Sequence, residues 1–273
     1  MDRIALTARW TAAARARESA RPDRLFDDPL AARLAGEQGF AMLDRAPRQV
    51  RDNPAVALRT RYFDDWLLRA TGERGPRQVV LVAAGMDARA FRLPWPEGVR
   101  LWEVDRAEVL DLKRTLLDPA GDRPRCERFT VAADLAEPGW TARLRESGFA
   151  SGSPAVWLIE GLLQYLPEEA VDAVLAGVAE AAAPGSRLGA DLLSADHAVQ
   201  PWMREWLDSM KVSGRPWRFG TNEPEALLER HGWVVERVAE PGHEGSHFGR
   251  WPWPVVPRGV PGLTRTFYVT ATR

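Results

Sequence analysis

QVVLVAAGMDARAFRLPWPEGVRLWEVDR, residues Gln78–Arg106, is the stretch that decides the fold. It opens with an apolar run, Val79–Val82, and continues into three small residues, Ala83-Ala84-Gly85. A second strand-like run, Val99–Val104, ends in the acid Asp105, twenty positions beyond Gly85. Strand, tight small-residue turn, second strand and an acid at its tip form the pattern of a nucleotide-binding α/β half, and the spacing suits a carboxylate that holds ribose hydroxyls. The pattern departs from a dinucleotide fingerprint in having one glycine instead of three, with Asp87 and Arg89 following at once. A pyrophosphate needs bare backbone N–H groups and a helix N-terminus behind them. Two alanines and an early acid make a poor phosphate cradle, so the better ligand is a nucleoside without phosphates, of which S-adenosylmethionine is the common one.

Working outward from this stretch, strand and helix patterns alternate. Strand-like runs fall at Val79–Ala83, Val99–Val104, Arg128–Ala132, Ala155–Ile159 and Arg187–Asp191, with helical runs at Ala107–Leu117, Trp140–Glu146 and Glu168–Ala183. Pro167 precedes the last of these helices and Gly185 follows it, as start and stop signals should. The alternation predicts a doubly wound parallel sheet with helices on both faces. Upstream, Ile4–Ala20, Leu30–Leu34 and Ala55–Ala70 read as helices. Downstream, Leu192–Asn222 breaks the rhythm with Trp202, Met203, Trp206, Met210 and Trp217. A helix at Glu223–His231, a strand at Trp233–Val238, a Gly/Pro/Trp-rich loop at Pro241–Gly262 and a closing strand at Thr264–Thr272 complete the chain. That last strand is expected to be antiparallel, because a hairpin-like return needs no helical crossover. The division that follows is a helical cap over 1–76, a cofactor-binding core over 77–191, an acceptor-side insertion over 192–222 and a C-terminal helix with strands over 223–273.

The chain has 273 residues, 45% of them hydrophobic, which allows one large α/β domain. A formal net charge of −1 argues against nucleic acid as a partner. The single cysteine, Cys126, excludes an internal disulfide framework and a cysteine-built zinc site. No apolar run reaches membrane-span length and no signal-type core opens the chain, so a cytoplasmic protein, monomeric or homodimeric, is expected.

Ligands of open α/β sheets lie beyond the C-terminal ends of the strands. The residues there are Gly85, Asp87 and Arg89 after the first strand, Asp105 after the second, Asp134-Leu135 after the third, Glu160-Gly161 after the fourth, and Asp191 and His197 after the fifth. Any one acid in a loop is more often solvent-facing than functional, but four at one edge point to a site. Asp105 suits ribose hydroxyls, Asp134 the adenine amino group and Glu160 the ammonium or sulfonium end. His197 is a candidate base, equally readable as an exposed loop histidine. His243-Glu244-Gly245-Ser246-His247 matches a zinc-binding H-E-x-x-H string, but Pro241, Gly242, Gly245 and Gly249 argue against the helix that chemistry needs.

Four stretches together, AAARARESARPDRLFDDPLA (Ala12–Ala31), VVLVAAGMDARAFRLPWP (Val79–Pro96), WEVDRAEVLDLKRTLL (Trp102–Leu117) and WLIEGLLQYLPEEAV (Trp157–Val171), with VAADL (Val131–Leu135) between, resemble the leucine carboxyl methyltransferase family in its bacterial branch of S-adenosylmethionine-dependent O-methyltransferases. The resemblance implies a single class I methyltransferase domain, Rossmann-like, with seven strands and the last antiparallel. It implies cofactor contacts from Gly85, Asp105, Asp134, Leu135 and Glu160. It further implies that an arginine of Arg59-Thr60-Arg61, with Arg59 favoured, and Arg15 or Arg17 hold the methionine carboxylate. Two positions depart from the family pattern: Ala83 stands where glycine is usual and Ala88 where threonine is usual.

Methyl transfer needs alignment and exclusion of water more than acid–base chemistry. A carboxylate acceptor, with an ordinary pKa of about 4, needs only positioning donors such as Tyr165; a phenol, at about 10, makes a base such as His197 useful. The tryptophans of the insertion favour a bulky small-molecule acceptor, as in natural-product tailoring. Three alternatives stand beside this reading. They are a non-methylating protein on the same fold, a nicotinamide-dependent oxidoreductase that the missing glycines disfavour, and a peptide-binding module built on Arg250–Pro261.

Overall fold

The computed structural model describes residues 3–117 and 121–273, with side chains from Thr7 onward at the N-terminal end. Its centre is a seven-stranded sheet of β1 (Gln78–Val82), β2 (Arg100–Asp105), β3 (Glu127–Ala132), β4 (Ala155–Ile159), β5 (Arg187–Leu193), β6 (Val234–Ala239) and β7 (Thr266–Thr272). Their spatial order is β3-β2-β1-β4-β5-β7-β6. The first five strands run parallel, and β7 is antiparallel to both β5 and β6. The order reverses at β1 and β4, where Val80 pairs with Trp102 on one side and Trp157 on the other. A crevice opens beyond the strand ends at such a reversal.

The central strands β1 and β4 are buried along their whole length because both faces are covered, and the period of two sorts strand side chains between two cores. Val80, Val82, Trp102, Val104, Trp157 and Ile159 face one core, filled by Trp140 and Leu144 of α7 (Trp140–Glu146), Val174 and Val178 of α8 (Glu168–Ala181), and Leu228 of α10 (Pro224–Glu229). Val79, Leu81, Leu101, Val156 and Leu158 face the other, covered by Phe63, Trp66 and Leu67 of α4 (Ala55–Ala70). Gly189 of β5 lets Trp66 lie close, since a Cβ there would sit 2.7 Å from the indole.

The N-terminal helices are α1 (Arg3–Ser19), α2 (Ala31–Arg45) and the one-turn α3 (Arg48–Arg51). The sequence reading stopped the second helix at Leu34, but α2 continues to Arg45 across a break at Gly36, whose backbone lies at φ 55 and ψ 179. Its two glycines hide the helical period yet permit close approach to α1: a Cβ at Gly39 would come within 2.4 Å of the Arg9 carbonyl oxygen. After β1 comes α5 (Arg89–Arg92), and α6 (Ala107–Leu117) follows β2. The 192–222 segment carries two short helical turns and α9 (Arg204–Val212), whose Trp206 and Met210 are buried against Trp10, Met42 and Trp217. The last helix is shorter than expected, because Arg230–Gly232 forms a turn instead of extending it. The His243–His247 string is a set of turns with Gly245 at φ 77, so its histidines share no helical face. Among the described residues, no helix is long and apolar enough to cross a membrane.

Candidate functional site

A cavity of about 390 Å³ lies beyond the C-terminal ends of β1, β2, β4 and β5. Its roof is helix α1, through Thr7, Ala8, Trp10, Thr11 and Arg15, and the 214–218 segment of the insertion. Gly85, Asp105, Asp134, Leu135, Glu160, Arg15, Arg59 and Tyr165 all line it, so the structure brings these sequence-selected residues together.

The turn after β1 shapes one end. Ala83 has φ 58 and Gly85 φ 51, both in the left-handed region where a side chain is unfavourable and glycine is not. The Ala84 N–H donates to the Val104 carbonyl at 3.1 Å, tying the turn to β2. Asp105, at the tip of β2, accepts the Gly85 N–H and the Arg106 N–H, each at 2.7 Å. Burial pushes its carboxyl above the usual range, and those two N–H donors offset part of the rise. Beside it, Val109, Ala133 and Leu135 offer an apolar slot, and Asp134 stands at the rim with one oxygen taken by the Ala136 N–H. An acid at the strand tip next to an apolar slot can hold a ribose with its purine.

The other end is charged. Arg59, from the middle of α4, donates through Nε to Glu160 at 2.9 Å and through Nη1 to Asp191 at 2.7 Å. Asp191, at the end of β5, also accepts the Gly161 N–H at 2.6 Å. Gly161 has φ 68, and a Cβ there would sit 3.3 Å from the Arg59 guanidinium, so the bare backbone makes room for that side chain. Glu160 reaches Arg89 Nη1 at 2.8 Å through its second oxygen. Arg89, only 2% exposed, continues to Asp87 and to Asp64, and Arg92 closes the chain on Asp64 at 2.6 Å. Burial alone would raise the Glu160 and Asp87 carboxyls. The guanidiniums outweigh it, chiefly Arg89 and then Arg59 at Glu160, which is left below its ordinary value, while Asp87, beside Arg89, falls to about 2. Arg15 donates to Asp28 at 2.9 Å and to the Met86 carbonyl at 2.5 Å. Its neighbour Arg17 points to Asp44 and Arg61 to Asp65, both away from the cavity. Thr60 Oγ1 is buried at the cavity edge without a hydrogen-bond partner. A zwitterionic amino-acid group fits such a set: acids for an ammonium, guanidiniums and a free hydroxyl for a carboxylate.

His197 is the exception among the expected residues. It does not line the cavity. Its ring is buried, with Nδ1 2.8 Å from the Ser194 carbonyl and the ring edge-on to Trp217 at 5.7 Å. The segment after β5 turns back on itself there, so the histidine packs the insertion onto the body. Asp87, Arg89 and Asp191 were visible at the strand ends, but nothing in the sequence showed that they join one buried network. Thr60 and Arg215 carried no signal of their own.

The fold and the charged crevice are those of an S-adenosylmethionine-dependent methyltransferase, and comparison with known proteins agrees. Residues 8–179 match the model of the leucine carboxyl methyltransferase family, and the chain belongs to that family. It is 42% identical over 282 residues to a Frankia alni protein named as an S-adenosyl-L-methionine-dependent methyltransferase, covering 99% of this chain and 94% of that one. A Parafrankia protein of the same naming is 46% identical over 198 residues, and there the match spans 62% of the relative. In solved structures, a duf574 family protein from Streptomyces avermitilis superposes with a TM-score of 0.65 at 17% identity, covering 98% of this chain and 97% of that one. A methyltransferase from Thermobifida fusca superposes with a TM-score of 0.62 at 20% identity, covering 95% and 94%. At those identities the two structures bear on fold alone.

Proposed function

We propose that this protein is an O-methyltransferase acting on a small molecule, with a carboxylate oxygen preferred over a hydroxyl, and that natural-product tailoring is its setting. One observation carries the preference. Among the described residues that line the cavity there is no histidine, lysine or cysteine, and its acids are engaged by guanidiniums or backbone N–H groups. A phenol, with an ordinary pKa of about 10, would have to give up its proton to a base within reach. A carboxylate arrives ionised and needs only to be aimed. The family's description, which names a carboxyl acceptor, supports the same direction.

In this reading Asp105 holds the ribose hydroxyls, Leu135 and Val109 flank the adenine, and Asp134 meets its amino group. Glu160 faces the ammonium, while Arg59, Arg15 and Thr60 hold the methionine carboxylate. S-adenosylmethionine supplies the electrophilic methyl carbon: the acceptor oxygen bonds to it as its bond to sulfur breaks, and the electron pair leaves with S-adenosylhomocysteine. Tyr165 follows Glu160 by five positions and lines the adjoining wall. Burial pushes its hydroxyl above the ordinary value, with Trp217, Arg59 and Arg215 pulling back only part of the way. It therefore keeps its proton at neutral pH and acts as a donor that orients the acceptor, not as a base. The roof of α1 and the 214–218 segment excludes water from the transfer.

Calorimetric titration with S-adenosylmethionine, S-adenosylhomocysteine and NADH, on wild type and Asp105→Ala, tests the cofactor assignment. Both adenosyl ligands should bind, and the substitution should weaken them roughly tenfold or more, the scale of a lost hydrogen bond to a charged group. Turnover is then followed as S-adenosylhomocysteine release over paired sets of carboxylic acids and phenols, with acids as the expected substrates. Binding of NADH alone would overturn the methyltransferase reading. Methylation of phenols but not acids would overturn the acceptor preference, and tight binding with no turnover on either set would favour the non-methylating alternative.

A further inference from the structure

We infer that Arg250, in the loop between β6 and β7, is a positioning residue for Arg15: it fastens the connection that aims the Arg15 guanidinium at the methionine end of the cofactor. The inference rests on the reading above in which Arg15 holds the methionine carboxylate, and it adds the group on which that role depends. Arg15 donates to the Met86 carbonyl and, through Nε, to Asp28 at 2.9 Å. Asp28 lies in the connection from α1 to α2, outside the helix that carries Arg15. That connection closes on the last residues of α1. The Asp28 N–H donates to Ser19 Oγ at 2.9 Å, and the Leu25 N–H to Glu18 Oε1 at 2.7 Å.

Two arginines from elsewhere in the fold fasten the connection to the body. Arg250 donates through Nη1 to Glu18 Oε2 at 3.0 Å and through Nη2 to the Asp23 carbonyl at 2.5 Å. Arg61 donates to the Leu25 carbonyl at 2.6 Å. Glu18 is only 6% exposed, and its other guanidinium neighbour, Arg21, stands farther off at 3.8 Å. Without Arg250 a buried carboxylate loses its nearer cation, and the connection it organises loosens. The loop is shaped to present Arg250. The Arg250 N–H donates to the His247 carbonyl at 2.8 Å and the Gly249 N–H to His247 Nδ1 at 2.9 Å, which gives the second histidine of the H-E-x-x-H string a part in the turn. Between them Phe248 has φ 46, a backbone state that a side chain keeps only where its surroundings impose it. Its ring packs on the core covered by α4, with the Arg61 guanidinium 5.5 Å from the ring centre. Arg61 and Arg250 thus tie the same loop to the same connection. Arg250 does not line the cavity, so it acts on the cofactor only through Glu18 and the residues that follow it. It also lies beyond 8–179, the part matched to the family.

The probes are S-adenosylhomocysteine and 5′-methylthioadenosine, which keeps the nucleoside and lacks the amino-acid group. Arg250→Met should weaken S-adenosylhomocysteine about tenfold, the scale of a lost hydrogen bond to a charged group, and 5′-methylthioadenosine less than about twofold. A general loss of structure would weaken both alike. Glu18→Gln should weaken S-adenosylhomocysteine by a similar factor, and the double variant by no more than the larger single loss, because both changes cut one link. Arg250→Lys, which keeps the charge but not the two-pronged reach, should lose less than the methionine variant. It decides the matter by the same comparison of the two ligands if the methionine variant does not fold. Equal weakening of both ligands, an unchanged S-adenosylhomocysteine affinity in a folded variant, or additive losses in the double variant would overturn the role of Arg250. Failure of wild type to bind S-adenosylhomocysteine, or an Arg15→Gln variant that binds it as wild type does, would instead overturn the reading beneath it.

Discussion

Replacing Ala83 with glycine should stabilise the protein, although Ala→Gly changes usually do the opposite. Ala83 sits at φ 58 in the turn after β1, where its Cβ crowds its own backbone. That conformation costs an L-residue about 1–2 kcal/mol, and glycine escapes it. Against this, glycine adds freedom to the unfolded chain worth about 0.4–1 kcal/mol. Ala83 is only partly buried, so the lost methyl contributes little to the core. The difference leaves a net gain on the order of 0.5–1 kcal/mol, or about 1–4 °C in melting temperature for a chain of this size. The comparison variant is Ala83→Val, whose β-branched side chain tolerates positive φ worst and should lose more than about 2 kcal/mol. Ala83 also lines the cavity, so the glycine variant should bind S-adenosylhomocysteine no more weakly than wild type. Urea unfolding with and without that ligand reads both effects. A glycine variant destabilised by more than about 1 kcal/mol, or a valine variant as stable as wild type, would mean that the turn is not left-handed in solution and that the strain argument is wrong.

Two further outcomes follow from packing and burial. Gly189→Ala would place a Cβ 2.7 Å from the Trp66 ring, and the buried indole has little room to retreat, so a loss of about 1–3 kcal/mol is expected by thermal unfolding. Burial, and then the nearby Glu103 carboxylate, push the Cys126 thiol up to about 12. At pH 8 the native thiol should then react with a disulfide reagent far more slowly than the same thiol in urea. Because the raised value belongs to the folded state, the stability it contributes is complete below the ordinary thiol range near 9 and declines as the pH rises from there toward 12.

Much of the sheet could be read in the sequence because strands covered on both faces are continuous apolar runs, and the acids that end them stand out against that background. Asp105 was legible for a second reason, its spacing from Gly85. Arg59 was not legible from its surroundings: its partners Glu160 and Asp191 are 101 and 132 positions away, and only the family resemblance selected it among so many arginines. Arg215 had neither spacing nor resemblance to mark it. His197 misled because position after a strand says nothing about which way a side chain turns, and its ring turned back onto the Ser194 carbonyl. Ala83 was noticed as a departure from the family's glycine, but the sequence could not show that its backbone would adopt glycine's conformation regardless.

The position of β7 has a consequence for how the chain is made. It is synthesised after β5 and β6, yet it lies between them and supplies every pairing described for β6. Until Thr266–Thr272 emerges, β5 presents an unpaired edge and β6 has no neighbour, so the nascent protein carries an adhesive flank from the synthesis of β5 until that of β7. A stop codon before Thr266 would leave that flank permanently open, and the expected product is aggregate, not a shortened enzyme.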